Sequence, residues 1–314
     1  MSGPCWSKNW NARREHPYPR TICRSNGSDR PARGGWRERM KGSMQASIFR
    51  AVWRSALLIA AALFLLGLRW ILSALCLRKE TIDRALRRYL LRMWARFFAR
   101  VAGIRVNLQG FPPRPPFFLV ANHLSYLDML VLNLLTGCLF VSRGDVQFWP
   151  VIGPIARSLH IVFVDRLRIR DTQRAGEEIA DTLRKGDGIV IFPEGRISVG
   201  LEVAPFKSSL IEPAVALGVP VHCAALTYQT LEGMPPADQL VSWWRPEPFF
   251  YHLFRLLGYP GVHVAVRFAD EPLSGDDRKD LAFRLHARVS EMYVKPVASP
   301  VPAVVRPAIS AESA

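Results

Sequence analysis

The sequence predicts an α/β fold, a mixed and mostly parallel sheet covered by helices and preceded by an N-terminal membrane-associated helical segment. Three observations predict it. From about residue 104, short β-rich runs alternate with helical patterns, as chains that lay helices on a sheet do. A long apolar stretch, SALLIAAALFLLGLRWILSALCL at 55–77, stands upstream of that alternation. The 314 residues are 49% hydrophobic, enough for a sizeable core in one large domain or two small ones.

Residues 1–43 are rich in Arg, Gly, Pro and Ser and carry no apolar periodicity; they are expected to be a disordered basic tail. They lack the short apolar core of a secretory signal peptide, and Met40 or Met44 is a candidate start. Residues 44–103 are expected to form the membrane-associated segment. The run 55–77 has the length of a transmembrane helix, which needs roughly 20 apolar residues. Arg69 interrupts it, and a central charge costs roughly 2.5–3.5 kcal/mol on insertion scales. A buried core helix is the alternative. Basic residues flank both ends, so charge bias sets no orientation; a monotopic or re-entrant helical pair fits as well as a span.

The next segment, LRRYLLRMWARFFARV, places Arg88, Arg92, Arg96 and Arg100 four apart, one basic stripe on a helix. Leu86, Leu90, Met93, Trp94, Phe97 and Phe98 supply its apolar side. An interfacial helix on anionic lipid has this form, and so does a surface helix with a solvated basic face.

Residues 104–295 are expected to be the α/β domain. IRVNL, FFLVAN, LFVSR, IVFVDR, GIVIFPEG, VPVHCAALTY and VHVAVRFA read as strands. LDMLVLNLLTG reads as a helix, as do DTQRAGEEIADTLRKG, with Asp171 as N-cap and Gly186 past its end, and DDRKDLAFRLHARVSEMYV. The Pro-, Ala- and Ser-rich tail, 296–314, is expected to be disordered.

The formal charge of +16 favours an anionic partner: phospholipid headgroups, nucleic acid or a phosphorylated substrate. No nucleic-acid-binding motif accompanies it, and the long apolar stretch argues for lipid, so no nucleic-acid partner is expected. The five scattered cysteines have neither metal-ligand nor disulfide spacing, which points to reduced thiols and a cytoplasmic catalytic region. No metal-binding histidine signature is present.

Polar residues gather where strands end, the edge at which open α/β sheets build their sites. FFLVAN ends just before His123, IVFVDR ends in Asp165 and Arg166, and GIVIFPEGR ends in Glu194, Gly195 and Arg196. Parallel strands would bring them together. His123 and Asp128, in NHLSYLD, are five residues apart, about 500° on a regular helix; they meet only if His123 precedes the helix. Ser125-x-x-Asp128 has capping-box form and starts a helix near Ser125. The spacing alone leaves two readings open. Asp128 is a cap and His123 a turn residue, or histidine is a base whose tautomer and charge the carboxylate supports. No GxSxG nucleophile is present, so the attacking hydroxyl would belong to the substrate. Arg166, Arg196 and Lys207 would offer positive charge to a phosphate-bearing substrate.

These blocks resemble those of the 1-acyl-glycerol-3-phosphate acyltransferase family, the lysophospholipid acyltransferases. NHLSYLD matches N-H-x-S-x-x-D, IVFVDR the second block, IFPEGRIS with PFKSS the block written F-P-E-G-T-x-S, and VPVHCAALTY the fourth. The blocks stand in the family's order over about residues 115 to 230. The resemblance implies transfer of a fatty acyl group from a thioester, acyl-CoA or acyl carrier protein, to a lysophospholipid hydroxyl, with lysophosphatidate the expected acceptor. His123 would be the general base and Asp128 its partner. Asn122, Ser125, Arg166, Glu194, Gly195, Arg196 and Lys207 would contact the acceptor. No metal or redox cofactor is implied. Membrane phospholipid would be a partner and the catalytic domain would face the cytoplasm. Arg196 departs from the family's threonine. Lyso-ornithine lipid acyltransferases share the blocks, so an amino-acid lipid acceptor stays open, as does a non-catalytic membrane-binding protein of the same fold.

Overall fold

The computed structural model describes residues 33–75, 80–149, 153, 157, 161–164 and 169–296. The chain divides into two units at Ser43 and Met44. Helix α1, Arg33–Leu75, begins ahead of the expected boundary at 44; the rest of the basic tail, 1–32, lies outside the described residues, as does 297–314. α2 follows at Glu80–Ala102.

The α/β part is built on a seven-stranded sheet: β1 Ile104–Gln109, β2 Phe117–Ala121, β3 Leu139–Arg143, β4 Val162–Val164, β5 Gly188–Ile191, β6 Val221–Thr230 and β7 Val262–Phe268. Their order across it is β1-β7-β6-β2-β5-β3-β4. Among the pairings of these strands, β6–β7 alone is antiparallel. β2 and β5 are buried along their whole length, as central parallel strands with both faces covered must be. That is why FFLVA and GIVI are apolar without alternation.

The sheet carries two cores. Phe117, Leu119 and Ala121 of β2 join a cluster with Phe98 of α2 and with Leu127 and Leu132 of α3, Leu127–Thr136. Phe118 and Val120 point the other way, into a cluster with Ile179 of α4, Ile169–Arg184, Ala214 of α5, Glu212–Leu217, and Leu285 and Val289 of α8, Arg278–Met292. Two short helices complete the first layer, α6 at Ala237–Leu240 and α7 at Phe249–Leu257. The sheet is thus the middle of three layers.

Helix ends follow local chemistry. Asp277 caps α8, its side chain accepting from the N–H groups of Lys279 and Asp280 at 2.8 Å each. α4 ends with Gly186 in the left-handed region, φ +81°, where the Asp187 and Gly186 N–H groups return to Thr182 and Leu183. Its start differs from expectation. The helix opens at Ile169, so Asp171 stands inside the first turn and not at the cap.

α1 contains the 26-residue apolar run Ser47–Leu72, whose most apolar 18 residues have a mean hydropathy of 2.2 and are 6% buried. At about 1.5 Å per residue it is about 39 Å long, long and apolar enough to cross a bilayer. Phe64 and Trp70 are 67% and 74% exposed. Arg69, the interrupting charge, pairs with Asp83 of α2 at 2.6 Å.

The basic stripe of α2 is partly spent on the protein. Arg88 pairs with Asp187 at 3.2 Å. Arg92 donates to the carbonyls of Leu134 and Leu135 at 3.3 and 3.0 Å, the C-terminal end of α3, where a cation is favoured. Leu90, Ala95 and Phe98 are buried, so the apolar side of α2 covers the sheet layer. The interfacial-helix expectation therefore fails for Arg88 and Arg92, while Arg96 and Arg100 are exposed.

Candidate active site

β2 and β5 are parallel neighbours, Val120 opposite Ile191. The turns that follow them therefore meet at the carboxyl edge, where the His123 N–H donates to Glu194 Oε1 at 2.7 Å. The Ser198 N–H donates to the His123 carbonyl at 2.9 Å, and Ser198 Oγ reaches it at 3.3 Å. The histidine backbone is thus held from both sides by the segment after β5.

His123 precedes α3, as its meeting with Asp128 requires. Nδ1 lies 2.9 Å from Asp128 Oδ2. The same oxygen accepts from the N–H groups of Leu124 at 2.6 Å and Ser125 at 2.9 Å. The bond to the Ser125 N–H is half of a capping box; Ser125 Oγ instead accepts from Leu127 N at 3.3 Å. One carboxylate therefore caps the turn and binds the imidazole. An ionised carboxylate only accepts, so Nδ1 carries the proton and Nε2 keeps its lone pair. The imidazole stacks on Phe192, 4.1 Å between centroids and 14° between planes. Its side chain is 15% exposed, whereas that of Asp128 is fully buried. Such a pair can take a proton from a hydroxyl at Nε2 while the carboxylate balances the imidazolium.

Glu194 lies beneath this turn, 3% exposed. Burial pushes its carboxyl up to about 7, against the pull of bonds from the His123 and Ala204 N–H groups. Gly195 takes φ +75° and its N–H closes the turn onto the Phe192 carbonyl at 3.1 Å. A side chain there would be strained.

A family model described as Acyltransferase matches residues 104–227. The lyso-ornithine lipid O-acyltransferase of Brucella abortus (strain 2308) is 35% identical over 208 residues, covering 62% of this chain and 78% of that protein. The chain belongs to the lysophospholipid acyltransferase family. The lyso-ornithine lipid O-acyltransferase of Rhizobium meliloti (strain 1021) is 32% identical over 226 residues, covering 67% of this chain and 77% of that protein. The 1-acyl-sn-glycerol-3-phosphate acyltransferase of Neisseria meningitidis serogroup B is 34% identical over 132 residues, 41% and 52% of the two chains. In structure, the crystallised 1-acyl-sn-glycerophosphate acyltransferase PlsC of Thermotoga maritima superposes with a TM-score of 0.58 over 81% of this chain and 97% of that one, at 19% identity; this is a likeness of fold.

The acyltransferase brings His123, Asp128 and Glu194 together as the strand ends predict. Arg196 and Lys207 are exposed on the same segment, and the Lys207 N–H is fixed on the Pro193 carbonyl at 2.9 Å. Arg166 and Asp165 lie outside the described residues. Asn122 and Ser125, expected against the acceptor, are 1% and 0% exposed. Asn122 spends both ends of its amide on Leu226, donating to its carbonyl at 2.9 Å and accepting from its N–H at 2.7 Å. The two residues support the turn from inside.

Sequence reasoning missed several residues around the acyltransferase site. Tyr126, inside the signature segment, bonds His252 of α7, hydroxyl to Nδ1 at 3.0 Å. Trp243 is part-buried against Tyr126 and Trp149, and its backbone N–H donates to the Leu124 carbonyl at 3.2 Å. The apolar character of FFYHLFRLL was the available signal for α7. A cleft of about 850 Å³ that includes Arg92 and Arg114 lies elsewhere, on the segment leading into β2 and the end of α3, away from His123.

Proposed function

We propose that this enzyme transfers a fatty acyl group from an acyl thioester, acyl-CoA or acyl carrier protein, to the free hydroxyl of a lysolipid at a membrane surface. The observation that carries this is the His123–Asp128 pair, with Nδ1 occupied and Nε2 free. The acceptor hydroxyl oxygen attacks the thioester carbonyl as Nε2 takes its proton. Asp128 balances the imidazolium. The C–S bond then breaks, the thiolate recovers the proton, and an ester and a thiol are the products. A thiol leaves without further activation, so the chemistry asks for no metal or redox cofactor. Glu194 and Gly195 shape the turn beside the base. Arg196 and Lys207, with Arg166, supply positive charge to the acceptor headgroup. Ser47–Leu72 anchors the enzyme in the membrane, and the thioester donors place the catalytic domain on the cytoplasmic face.

For the acceptor, lyso-ornithine lipid stands ahead of lysophosphatidate, the expectation from sequence. Support comes from the extent of similarity. The Brucella abortus lyso-ornithine lipid acyltransferase aligns over 208 residues, the Neisseria meningitidis lysophosphatidate enzyme over 132. Arg196, where the family motif has threonine, suits a headgroup carboxylate. Lysophosphatidate is the second reading, favoured by the 34% identity across that shorter range.

Purified enzyme in detergent, offered labelled acyl-CoA or acyl carrier protein with each acceptor, tests both readings beside His123→Ala. Ornithine lipid from the wild type and none from the variant is the expected result. Phosphatidate alone would select the second reading. Equal product from His123→Ala would overturn the assignment of the base.

A further inference from the structure

β6 outruns its neighbour at the site. β2 pairs with it as far as Ala121 opposite Ala224, and the Asn122 amide extends that pairing to Leu226. β6 continues to Thr230, so its last residues pass under the turn that holds His123 and Asp128. Alternation along the strand puts Ala224, Leu226 and Tyr228 on one face, in the cluster shared with Leu124 and Leu127. Tyr228 is 1% exposed.

Two buried polar atoms in this region lack a partner at hydrogen-bond geometry: the Tyr228 hydroxyl and Asp128 Oδ1. Asp128 Oδ2 meanwhile accepts three bonds. The two unpaired atoms are chemically complementary, since a phenol donates and a carboxylate accepts. They are also in electrical contact: burial first, then the charge and side-chain hydrogen bonding of Asp128, hold the Tyr228 hydroxyl well above its ordinary pKa. The phenol is therefore a protonated donor throughout the working range.

We propose that Tyr228 is a positioning residue for the catalytic pair, its hydroxyl donating to Asp128 Oδ1 directly on a small closure or through one water. This rests on the reading of His123 and Asp128 as that pair. A donor on Oδ1 fixes the carboxylate plane, so Oδ2 keeps its place on Nδ1. It also draws charge toward Oδ1 and weakens the hold on a proton at the imidazole. Removing it should raise the imidazole pKa and misalign the base.

Other groups feel the Asp128 charge as well: Glu194, pushed up to about 7 mainly by burial, and Tyr293, pushed up to about 12 mainly by burial. The Glu194 carboxyl lies against the His123 backbone, so the measurement is made in a Glu194→Gln background. Histidine-labelled enzyme in detergent micelles is titrated by NMR, the His123 resonance being assigned by its loss in His123→Ala. Tyr228→Phe should raise the His123 midpoint by about half a pH unit and lower kcat about tenfold, with KM within about twofold, the effect of one bond to a charged group. In an Asp128→Asn background the same substitution should leave the midpoint where it is. An unmoved midpoint in Tyr228→Phe, with only a lower Tm, would make Tyr228 a packing residue and overturn the inference. Full activity in His123→Ala would instead refute the catalytic reading, while the titration still reports whether Tyr228 acts on Asp128.

Discussion

Asp128→Asn separates a cap from a catalyst, because asparagine keeps the shape and loses the charge. The N–H groups of Leu124 and Ser125 both point at Oδ2, so the amide oxygen must occupy that position. His123 Nδ1 then still finds an acceptor, and the amide nitrogen lies where Oδ1 was. The turn should hold, at a cost of a few degrees in Tm as bonds to a charge become bonds to a neutral oxygen. Catalysis should suffer far more. The imidazolium formed during transfer lies against the carboxylate, Nδ1 to Oδ2 at 2.9 Å, with charge centres roughly 4 Å apart. At an effective dielectric of about 20 that attraction is about 4 kcal/mol, or about 10³-fold in rate. The assay is kcat from labelled product at saturating donor and acceptor, beside thermal unfolding of the same preparation. If Asp128→Asn loses Tm but keeps its rate within about threefold, no charge develops on His123 in the slow step. Asp128 would then be a cap alone.

Four further outcomes are expected. His123→Ala should lose at least about 10³-fold in kcat while keeping its Tm and its fractionation with membranes; retention of the rate would remove the base. Glu194 binds a proton on folding between its unfolded pKa, near 4.5, and its folded value of about 7. The stability this contributes is complete below the lower value and lost as pH rises through the upper, about 3 kcal/mol in all. Glu194→Gln should therefore flatten Tm between pH 5 and 8, and parallel Tm curves for the two proteins would refute this. Asp83→Leu removes the carboxylate that Arg69 pairs with at 2.6 Å and should destabilise by about 2 kcal/mol, the worth of a bond between charged groups. Adding Arg69→Leu should restore most of the loss in the same denaturation assay, and two additive losses would show that the pair is not coupled. Arg196→Thr should cut kcat/KM for lyso-ornithine lipid about tenfold, the worth of one charged contact, and spare lysophosphatidate. Equal loss for both acceptors would take Arg196 out of headgroup selection.

The parts of the fold that were legible in the sequence are those fixed by local chemistry. FFLVA and GIVI read as strands because nothing polar interrupts them. The cap expected at Asp171 fails because the helix opens two residues earlier, and the cap at Asp277, whose side chain reaches N–H groups two and three residues on, was not read. His123, Asp128 and Glu194 were legible because strand ends in a parallel sheet share one edge. What a polar side chain does after leaving that edge was not legible. Asn122 looks like a site residue in sequence, yet its partner is the backbone of Leu226. Arg88 and Arg92 look like a lipid-facing stripe, yet their partners are Asp187 and the end of α3. Tyr228 and His252 face the site from 100 and more positions downstream, and no local pattern marks that distance.

The same logic accounts for the charges in the apolar helix. Arg50, Arg54 and Arg69 are the residues that make Ser47–Leu72 awkward as a span, since each would cost several kcal/mol facing lipid. None is left to lipid. Arg54 donates to the carbonyls of Leu257, Tyr259 and Pro260 at 3.2, 2.6 and 3.2 Å, and Arg50 to that of Gly258 at 3.0 Å. Leu257 is the last residue of α7, where cations are favoured, and the other three carbonyls belong to the turn that follows it. Ser47 Oγ lies so close to Gly258 that a Cβ there would meet it at 2.7 Å, so a side chain at 258 would have to displace that hydroxyl. Arg69 is met by Asp83 at the other end of the apolar run. The arginines therefore mark where α1 is fastened to the enzyme, while apolar side chains stand open along the whole run, from Phe49 through Phe64 to Trp70. α7 in turn holds Tyr126 through His252. On the proposed reading of Ser47–Leu72 as the anchor, these contacts and one short helix join it to the signature segment and would keep the base at a fixed place relative to the lipid surface. A lysolipid whose reacting hydroxyl lies near its headgroup needs that placement.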